Sequence, residues 1–296
     1  MTRELRPTWS GESISDADFT ELTRLLAEQR SFDLDNYEDG CIRRGMAKRM
    51  RSEEVASFAD YLQRLRKDPD ELDALLSTIS IHVSQFFRNP EVFQLLETAI
   101  LPDLCRQVRA AGRDCLRLWS AGCAGGEETY SLALLLDELN PSGLKIDILG
   151  TDVSQQTLDA AEQGRYDRQR LREAPSPVLH DYFVQDGEQF QLIERIRSMV
   201  RFERHNLVTA AGYPEADLIL CRNVLIYFSA LEQQRILSGF AECLSPYGVL
   251  VLGRSEFLHG APARYFTTEY AAAKIYRCNL REDHDRLAVK RSLEIE

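Results

Sequence analysis

The stretch Leu116-Arg-Leu-Trp-Ser-Ala-Gly-Cys-Ala-Gly-Gly-Glu-Glu-Thr-Tyr-Ser131 joins an apolar strand to a helix through a turn of small residues, and two carboxylates close the turn. Leu116, Leu118 and Trp119 make the strand, while Gly122, Cys123, Ala124, Gly125 and Gly126 let a ligand approach the backbone closely. Glu127 and Glu128 fall in the first helical turn, where acids suit the helix dipole. A dinucleotide site wants G-x-G-x-x-G, whose glycines seat a pyrophosphate against amides. Here the order is G-x-x-G-G followed by two acids, which repel phosphate. A cationic or neutral nucleoside is not repelled. S-adenosylmethionine fits that chemistry, with a sulfonium, an amino group and two ribose hydroxyls but no phosphate; an ordinary helix N-terminus is the bland reading of the same residues.

Three further places could do chemistry. Lys145 to Asp152 reads as the next strand and ends in an acid, at the end of an open parallel sheet where ligands bind. Asp152 is therefore a candidate acceptor for ribose hydroxyls, or else the N-cap of the helix through Leu158 and Ala161. Arg88 stands after Phe86 and Phe87, which read as core, and before the turn at Asn89-Pro90; on its surroundings alone it pairs with a nearby carboxylate. Arg43, Arg44, Lys48, Arg49 and Arg51 place five cations between residues 42 and 51 with no acid. On a helix Arg44, Lys48 and Arg51 share a face. Such runs are often just solvated, but in a chain of net charge −11 one of a single sign points to an acidic partner.

The elements that must position these residues follow from periodicity. A chain of 296 residues, 44% hydrophobic, predicts one large domain and a small one. Apolar residues recur at helical spacing from about residue 14 to 78, giving a small helical domain. A structured linker follows from Ser80, and Pro90 opens a helix through Leu101. Then the pattern alternates: the strand ending near Ala121, a helix from Glu127 to Leu139 stopped by Asn140-Pro-Ser-Gly143, the strand to Asp152, further segments of the rhythm at 199–206 and 216–228, a helix from Leu231 to Leu244, a strand at 248–253 and a late strand at 271–278. Residues 166–198 interrupt this rhythm with a β-hairpin turning at Asp186-Gly187. Strands alternating with helices specify a doubly wound α/β sheet over 79–281, and 282–296 is a charged tail expected to fray.

No run approaches the roughly 18–20 apolar residues of a membrane span, and the N-terminus lacks a signal segment, so the expectation is a cytoplasmic protein that does not insert into membranes. Seven cysteines without C-x-x-C spacing predict reduced thiols and neither disulfides nor a metal site. The acidic balance argues against nucleic acid as a partner.

In this order the motifs resemble the CheR-type chemotaxis receptor (methyl-accepting chemotaxis protein) glutamate O-methyltransferases, from about residue 19 to 278. The resemblance is carried by Ser84-Gln-Phe-Phe-Arg88, Trp119-Ser-Ala-Gly-Cys-Ala-Gly-Gly-Glu-Glu-Thr-Tyr-Ser131, Gly150-Thr-Asp152 and Cys221-Arg-Asn-Val-Leu-Ile-Tyr-Phe228. It implies a Rossmann-like S-adenosylmethionine-dependent methyltransferase domain, a helical N-terminal domain whose basic surface at Arg43 to Arg51 faces substrate, and transfer of methyl groups to glutamates in the cytoplasmic helical bundle of chemoreceptors. The family's cofactor contacts fall on His82, Ser84, Arg88, Glu128, Asp152, Asn206, Leu207, Arg222 and Asn223. His82 and Ser84 stand where the family usually has Asn and Thr; Ser keeps the hydroxyl, while His changes the geometry. The family's insertion is three-stranded and in some members docks a receptor peptide through a Gly-rich hairpin, which here is short and holds only Gly187.

With this resemblance Arg88 orients the substrate carboxylate, Asp152 takes the ribose, Glu128 the polar cofactor groups, and Asn223 and Tyr227 line the mouth of the methyl-transfer site. Glutamate, with a pKa of about 4.3, needs no general base at neutral pH, so the site has only to position and desolvate. A monomer is expected. A non-catalytic receptor-binding adaptor of the same fold is the alternative, followed by a nicotinamide-dependent oxidoreductase, which the loop spacing and the acid pair disfavour.

Overall fold

The computed structural model describes residues 16–30, 34, 39–55, 57–79, 84–139, 143–210 and 212–280. The predicted tail at 282–296 and His82 lie outside the described residues. The chain divides into two compact units, Met1–His82 with Tyr227–Ser229, and Val83–Ile226 with Ala230–Glu296.

Among the described residues the first unit contains four α-helices, α1 (Asp16–Arg30), α2 (Asp39–Ser52), α3 (Phe58–Lys67) and α4 (Pro69–Ile79). Their apolar stripes, including Leu22, Leu26, Ile42, Met46, Met50, Tyr61, Leu65, Leu72 and Leu75, are buried. Ser57 caps α3 by accepting the Asp60 amide at 3.1 Å, and Pro69 occupies the first turn of α4, where its missing N–H costs nothing. Gly45 lets α2 approach α4, since a Cβ there would lie 2.8 Å from Ile79 Cγ1. Inside the unit, buried Glu71 accepts from Arg49 Nε at 3.0 Å and from the Tyr61 hydroxyl at 2.6 Å.

The second unit opens with α5 (Pro90–Leu95), a π turn (Leu96–Ile100) and α6 (Leu101–Ala110). The helix expected to stop at Leu101 therefore continues to Ala110. Pro102 falls at the start of α6, and the wider π turn before it accommodates a residue that lacks an N–H. Then come β1 (Cys115–Ala121), α7 (Glu127–Leu139), β2 (Lys145–Asp152), α8 (Gln155–Gln163), β3 (Arg165–Asp167), α9 (Ser176–Tyr182), β4 (Phe183–Asp186), β5 (Gln189–Leu192), α10 (Glu194–Arg197), β6 (Val200–Arg204), β7 (Ala216–Cys221), α11 (Ala230–Cys243), β8 (Leu244–Leu252), β9 (Phe266–Tyr270) and β10 (Ile275–Cys278).

Seven strands form one sheet in the order β6-β2-β1-β7-β8-β10-β9. The first five run parallel, and β10 and β9 are antiparallel additions. The late strand begins at Ile275 rather than residue 271, because Ala271–Lys274 is a turn that reverses the chain from β9, with Lys274 at φ 55°. The interruption of the rhythm is a second sheet, β3-β5-β4, whose β4–β5 hairpin turns at Asp186-Gly187 with Gly187 at φ 62°. No helix among the described residues is long and apolar enough to cross a membrane.

Candidate functional site

Strand order reverses at β1: β2 lies on one side and β7 on the other, so a crevice opens outside their carboxyl ends. The loops after β1, β2 and β7 converge there. A Cβ on Gly122 (φ 71°) would lie 2.5 Å from Val224 Cγ2, so the glycine is what lets the loop after β7 pack on the loop after β1.

The amides of the glycine loop are largely consumed within the protein. Gly122 and Cys123 both donate to the Thr151 carbonyl at 2.8 Å, Gly126 donates to Cys123 at 3.0 Å, and Ala124 (φ 49°) donates to Asp152 Oδ2 at 3.0 Å. A pyrophosphate needs such amides free and pointing at it. Asp152 is buried at the end of β2, and its other oxygen accepts from Ser154 at 3.1 Å. The N-cap of α8 is Ser154, which accepts from Thr157, so Asp152 does not fill that role.

Glu127 and Glu128 do not sit at the helix start as solvated acids; both are buried. Glu128 Oε1 pairs with Arg222 Nη1 at 2.9 Å, and Glu127 Oε1 pairs with Arg170 Nη1 at 2.7 Å, leaving Glu127 Oε2 buried without a hydrogen bond. Burial raises both carboxyls above the ordinary range, opposed by the neighbouring arginines. Arg222, just after β7, also donates to the Arg88 carbonyl at 2.9 Å and to Asn89 Oδ1 at 2.6 Å, and its guanidinium lies over the Phe93 ring. Glu128, Arg88 and Arg222 are thus brought together. Ser84 is buried on the same segment, and Phe86 and Phe87 are core, packed edge-on against Tyr166, Phe183 and Phe93.

Asn223 follows Arg222 in the left-handed region at φ 59°. Its loop is held by Glu256, a buried carboxylate that accepts four backbone amides. Sequence reasoning missed Glu256; the available signal was an isolated acid just after the apolar strand, in Gly253-Arg-Ser-Glu256. Arg170 and Glu173 were missed as well, since nothing in a charged turn shows which side chains face inward.

Asn206 and Leu207 lie beyond β6, next to the loop after β2, through the His205 amide bonded to the Asp152 carbonyl at 3.0 Å. Asn206 Oδ1 accepts the Val208 amide at 3.0 Å, and Leu207 is buried with its carbonyl taking the Tyr213 hydroxyl at 2.5 Å. Tyr227 ends a short 3-10 turn, Leu225–Tyr227, and clusters with the helical unit rather than the sheet. In that unit Arg43, Arg44, Lys48 and Arg51 are exposed on α2, whereas Arg49 turns inward to Glu71 and also bonds Glu53 at 2.7 Å. Arg49 therefore leaves the set expected to face substrate. Cys123 and Cys221 are buried with their thiols raised far above the ordinary value by desolvation, which removes them as nucleophiles.

A loop with internally satisfied amides, flanked by buried acids and shaped by glycines that a Cβ would fill, suits a nucleoside that brings no phosphate. That fold and cradle define a Rossmann-like S-adenosylmethionine-dependent methyltransferase. Comparison with known proteins agrees: residues 82–274 match the family described as CheR methyltransferase, SAM binding domain, and residues 17–80 match CheR methyltransferase, all-alpha domain. The chain belongs to the CheR methyltransferase family. It is similar to a chemotaxis protein methyltransferase of Listeria monocytogenes, 36% identical over 81% of this chain and 89% of that one. It is also similar to chemotaxis protein methyltransferase 1 of Pseudomonas aeruginosa, 32% identical over 90% of this chain and 99% of that one.

Proposed function

We propose that this chain transfers methyl groups from S-adenosylmethionine to glutamate side chains on the cytoplasmic helices of chemoreceptors, giving methyl esters that set sensory adaptation. The observation that carries the reading is the glycine loop whose amides are spent internally beside buried Asp152, Glu127 and Glu128. The receptor as substrate is supported by relatives named chemotaxis protein methyltransferases.

Bound S-adenosylmethionine supplies a methyl carbon on a positively charged sulfur, which a carboxylate can take without any proton transfer. Asp152, buried at the end of β2, accepts from the ribose hydroxyls. Glu128 and Arg222 hold the polar end of the cofactor, and Ser84, Asn206, Leu207 and Asn223 complete its surroundings, with His82 assigned by resemblance. Arg88 orients the glutamate carboxylate, and Tyr227 is assigned to methyl transfer by resemblance. The substrate glutamate is ionised at neutral pH, so these residues need only exclude water and align the reacting atoms. The exposed cations of α2 meet the acidic receptor helix.

The test is transfer of labelled methyl groups to receptor cytoplasmic fragments of the same organism. Glutamyl esters release the label as methanol in alkali, and replacing the target glutamates by glutamine abolishes labelling. Tight binding of S-adenosylhomocysteine with no alkali-labile label on any receptor fragment would make the chain an adaptor instead.

A further inference from the structure

Arg88 stands between two residues in the left-handed region, Phe87 at φ 54° and Asn89 at φ 61°. Side-chain-bearing residues persist there only where their surroundings over-determine them, and such strain gathers at functional sites. Here the restraints come from several elements. The Phe87 amide donates to Ser131 Oγ on α7 at 2.9 Å. The Arg88 carbonyl and the Asn89 side-chain oxygen both accept from Arg222. The Asn89 amide donates to Glu173 Oε2 at 2.8 Å.

Glu173 belongs neither to α7 nor to the loop after β7. It lies in the turn that leads from β3 to α9, inside the small-sheet insertion, and also approaches Arg172 at 3.9 Å. The same turn grips the segment elsewhere: the Phe86 amide donates to the Arg170 carbonyl at 2.9 Å, and Arg170 Nη1 donates to the Ser84 carbonyl at 3.0 Å. Phe86 itself is wedged edge-on between Tyr166 and Phe183 of the insertion, with ring centroids 4.8 and 5.2 Å away.

We infer that Glu173 is a positioning residue for Arg88, and that the three-stranded insertion serves methyl transfer by holding Phe87-Arg88-Asn89 in the strained form that aims the guanidinium. The inference rests on the reading of Arg88 as the group that orients the substrate carboxylate. Once its amide is released, Asn89 can leave the left-handed region, and the backbone at Arg88 turns with it. Misplacing a reacting group by about 1 Å costs on the order of a hundredfold in rate. At 26% exposure the Glu173 side chain is no part of the core, so its loss spares the fold.

The experiment compares the full chain with its Glu173→Ala, Glu173→Gln and Arg88→Ala variants. Three quantities are read: methyl transfer to a receptor cytoplasmic fragment, S-adenosylhomocysteine affinity by calorimetry, and hydrogen exchange at the Asn89 amide. Glu173→Ala should lower kcat by roughly ten- to a hundredfold, keep the S-adenosylhomocysteine Kd within about twofold, and speed exchange at Asn89. Glu173→Gln retains an acceptor oxygen and should restore most of the rate and the protection. Wild-type kcat in Glu173→Ala, beside an inactive Arg88→Ala, overturns the inference while leaving the Arg88 reading intact. Losses of rate and cofactor affinity by the same factor overturn it too, because they show general damage. Full transfer by Arg88→Ala removes the Arg88 reading, and this role for Glu173 goes with it.

Discussion

Glu256 accepts the backbone amide of Asn223 at 2.9 Å, and the same carboxylate takes the amides of Val224 at 2.8 Å, Leu225 at 2.7 Å and Gly253 at 2.5 Å. One buried anion therefore ties the loop after β7 to the loop after β8 and keeps Asn223 in its left-handed conformation. Burial raises this carboxyl and the four amides oppose the shift. In Glu256→Gln the side-chain amide offers one acceptor oxygen in place of two and points a donor at other donors. With about 1–3 kcal/mol for each buried group left unpaired, stability should fall by roughly 2–5 kcal/mol, with weaker S-adenosylhomocysteine binding. Urea unfolding and calorimetry check both, and an unchanged midpoint counts against the nest.

Asp152→Ala should weaken S-adenosylhomocysteine binding by about 1.5–3 kcal/mol, the range for hydrogen bonds to a charged acceptor. The amides of Ala124 and Ser154 also lose their acceptor, so the glycine loop should loosen together with the affinity. Calorimetry beside amide exchange at Ala124 reads the two effects. Faster exchange with unchanged affinity would leave Asp152 a loop anchor and remove it from the ribose.

What the sequence displayed and what it hid divide along physical lines. The strand–glycine loop–helix unit, the acid closing β2 and the D-G hairpin are local patterns, and each is found where its periodicity and turn residues put it. The inward turn of Glu127 toward Arg170 is not local: the partner lies 43 residues away, and a first-turn acid looks the same whether solvated or buried. The same holds for Arg49, indistinguishable in sequence from Arg44 or Lys48 until α4 brings Glu71 against it. Strand β9 escaped notice because Phe266-Thr-Thr-Glu-Tyr270 is a mostly exposed edge strand with little apolar pattern.

His205 should make the protein's stability depend on pH. Its ring packs edge-on against Trp119 at 5.6 Å and lies 5.7 Å from Tyr213, and Nε2 is buried without a hydrogen bond, so burial lowers its pKa below 6.5. Below about pH 6.5 the unfolded chain takes up a proton at this site that the folded protein resists, so stability falls as pH drops from there toward the folded value. His205→Phe keeps an aromatic ring but cannot titrate. The difference in unfolding free energy between variant and wild type should grow in favour of the variant from pH 7 to pH 5.5, as urea titrations at each pH would show. A constant difference would mean that His205 is protonated equally in both states.

The proposed receptor surface is α2, where Arg44, Lys48 and Arg51 are exposed. Reversing all three to Glu should raise the KM for receptor strongly and leave S-adenosylhomocysteine affinity alone. Salt should imitate the change, because exposed charges are screened over about 8–10 Å near physiological ionic strength; wild-type activity on receptor should fall between about 50 and 300 mM salt while the triple variant stays nearly flat. Arg49→Glu should behave differently. It sets a new carboxylate against buried Glu71 and removes that anion's cationic partner, a loss of about 3–5 kcal/mol for a broken buried pair, so it should destabilise the helical unit. Thermal unfolding separates the two outcomes from receptor affinity. A triple variant with wild-type KM and an unchanged salt slope would show α2 to be only a solvated face, and the receptor surface would then have to be sought on the hairpin of β4 and β5.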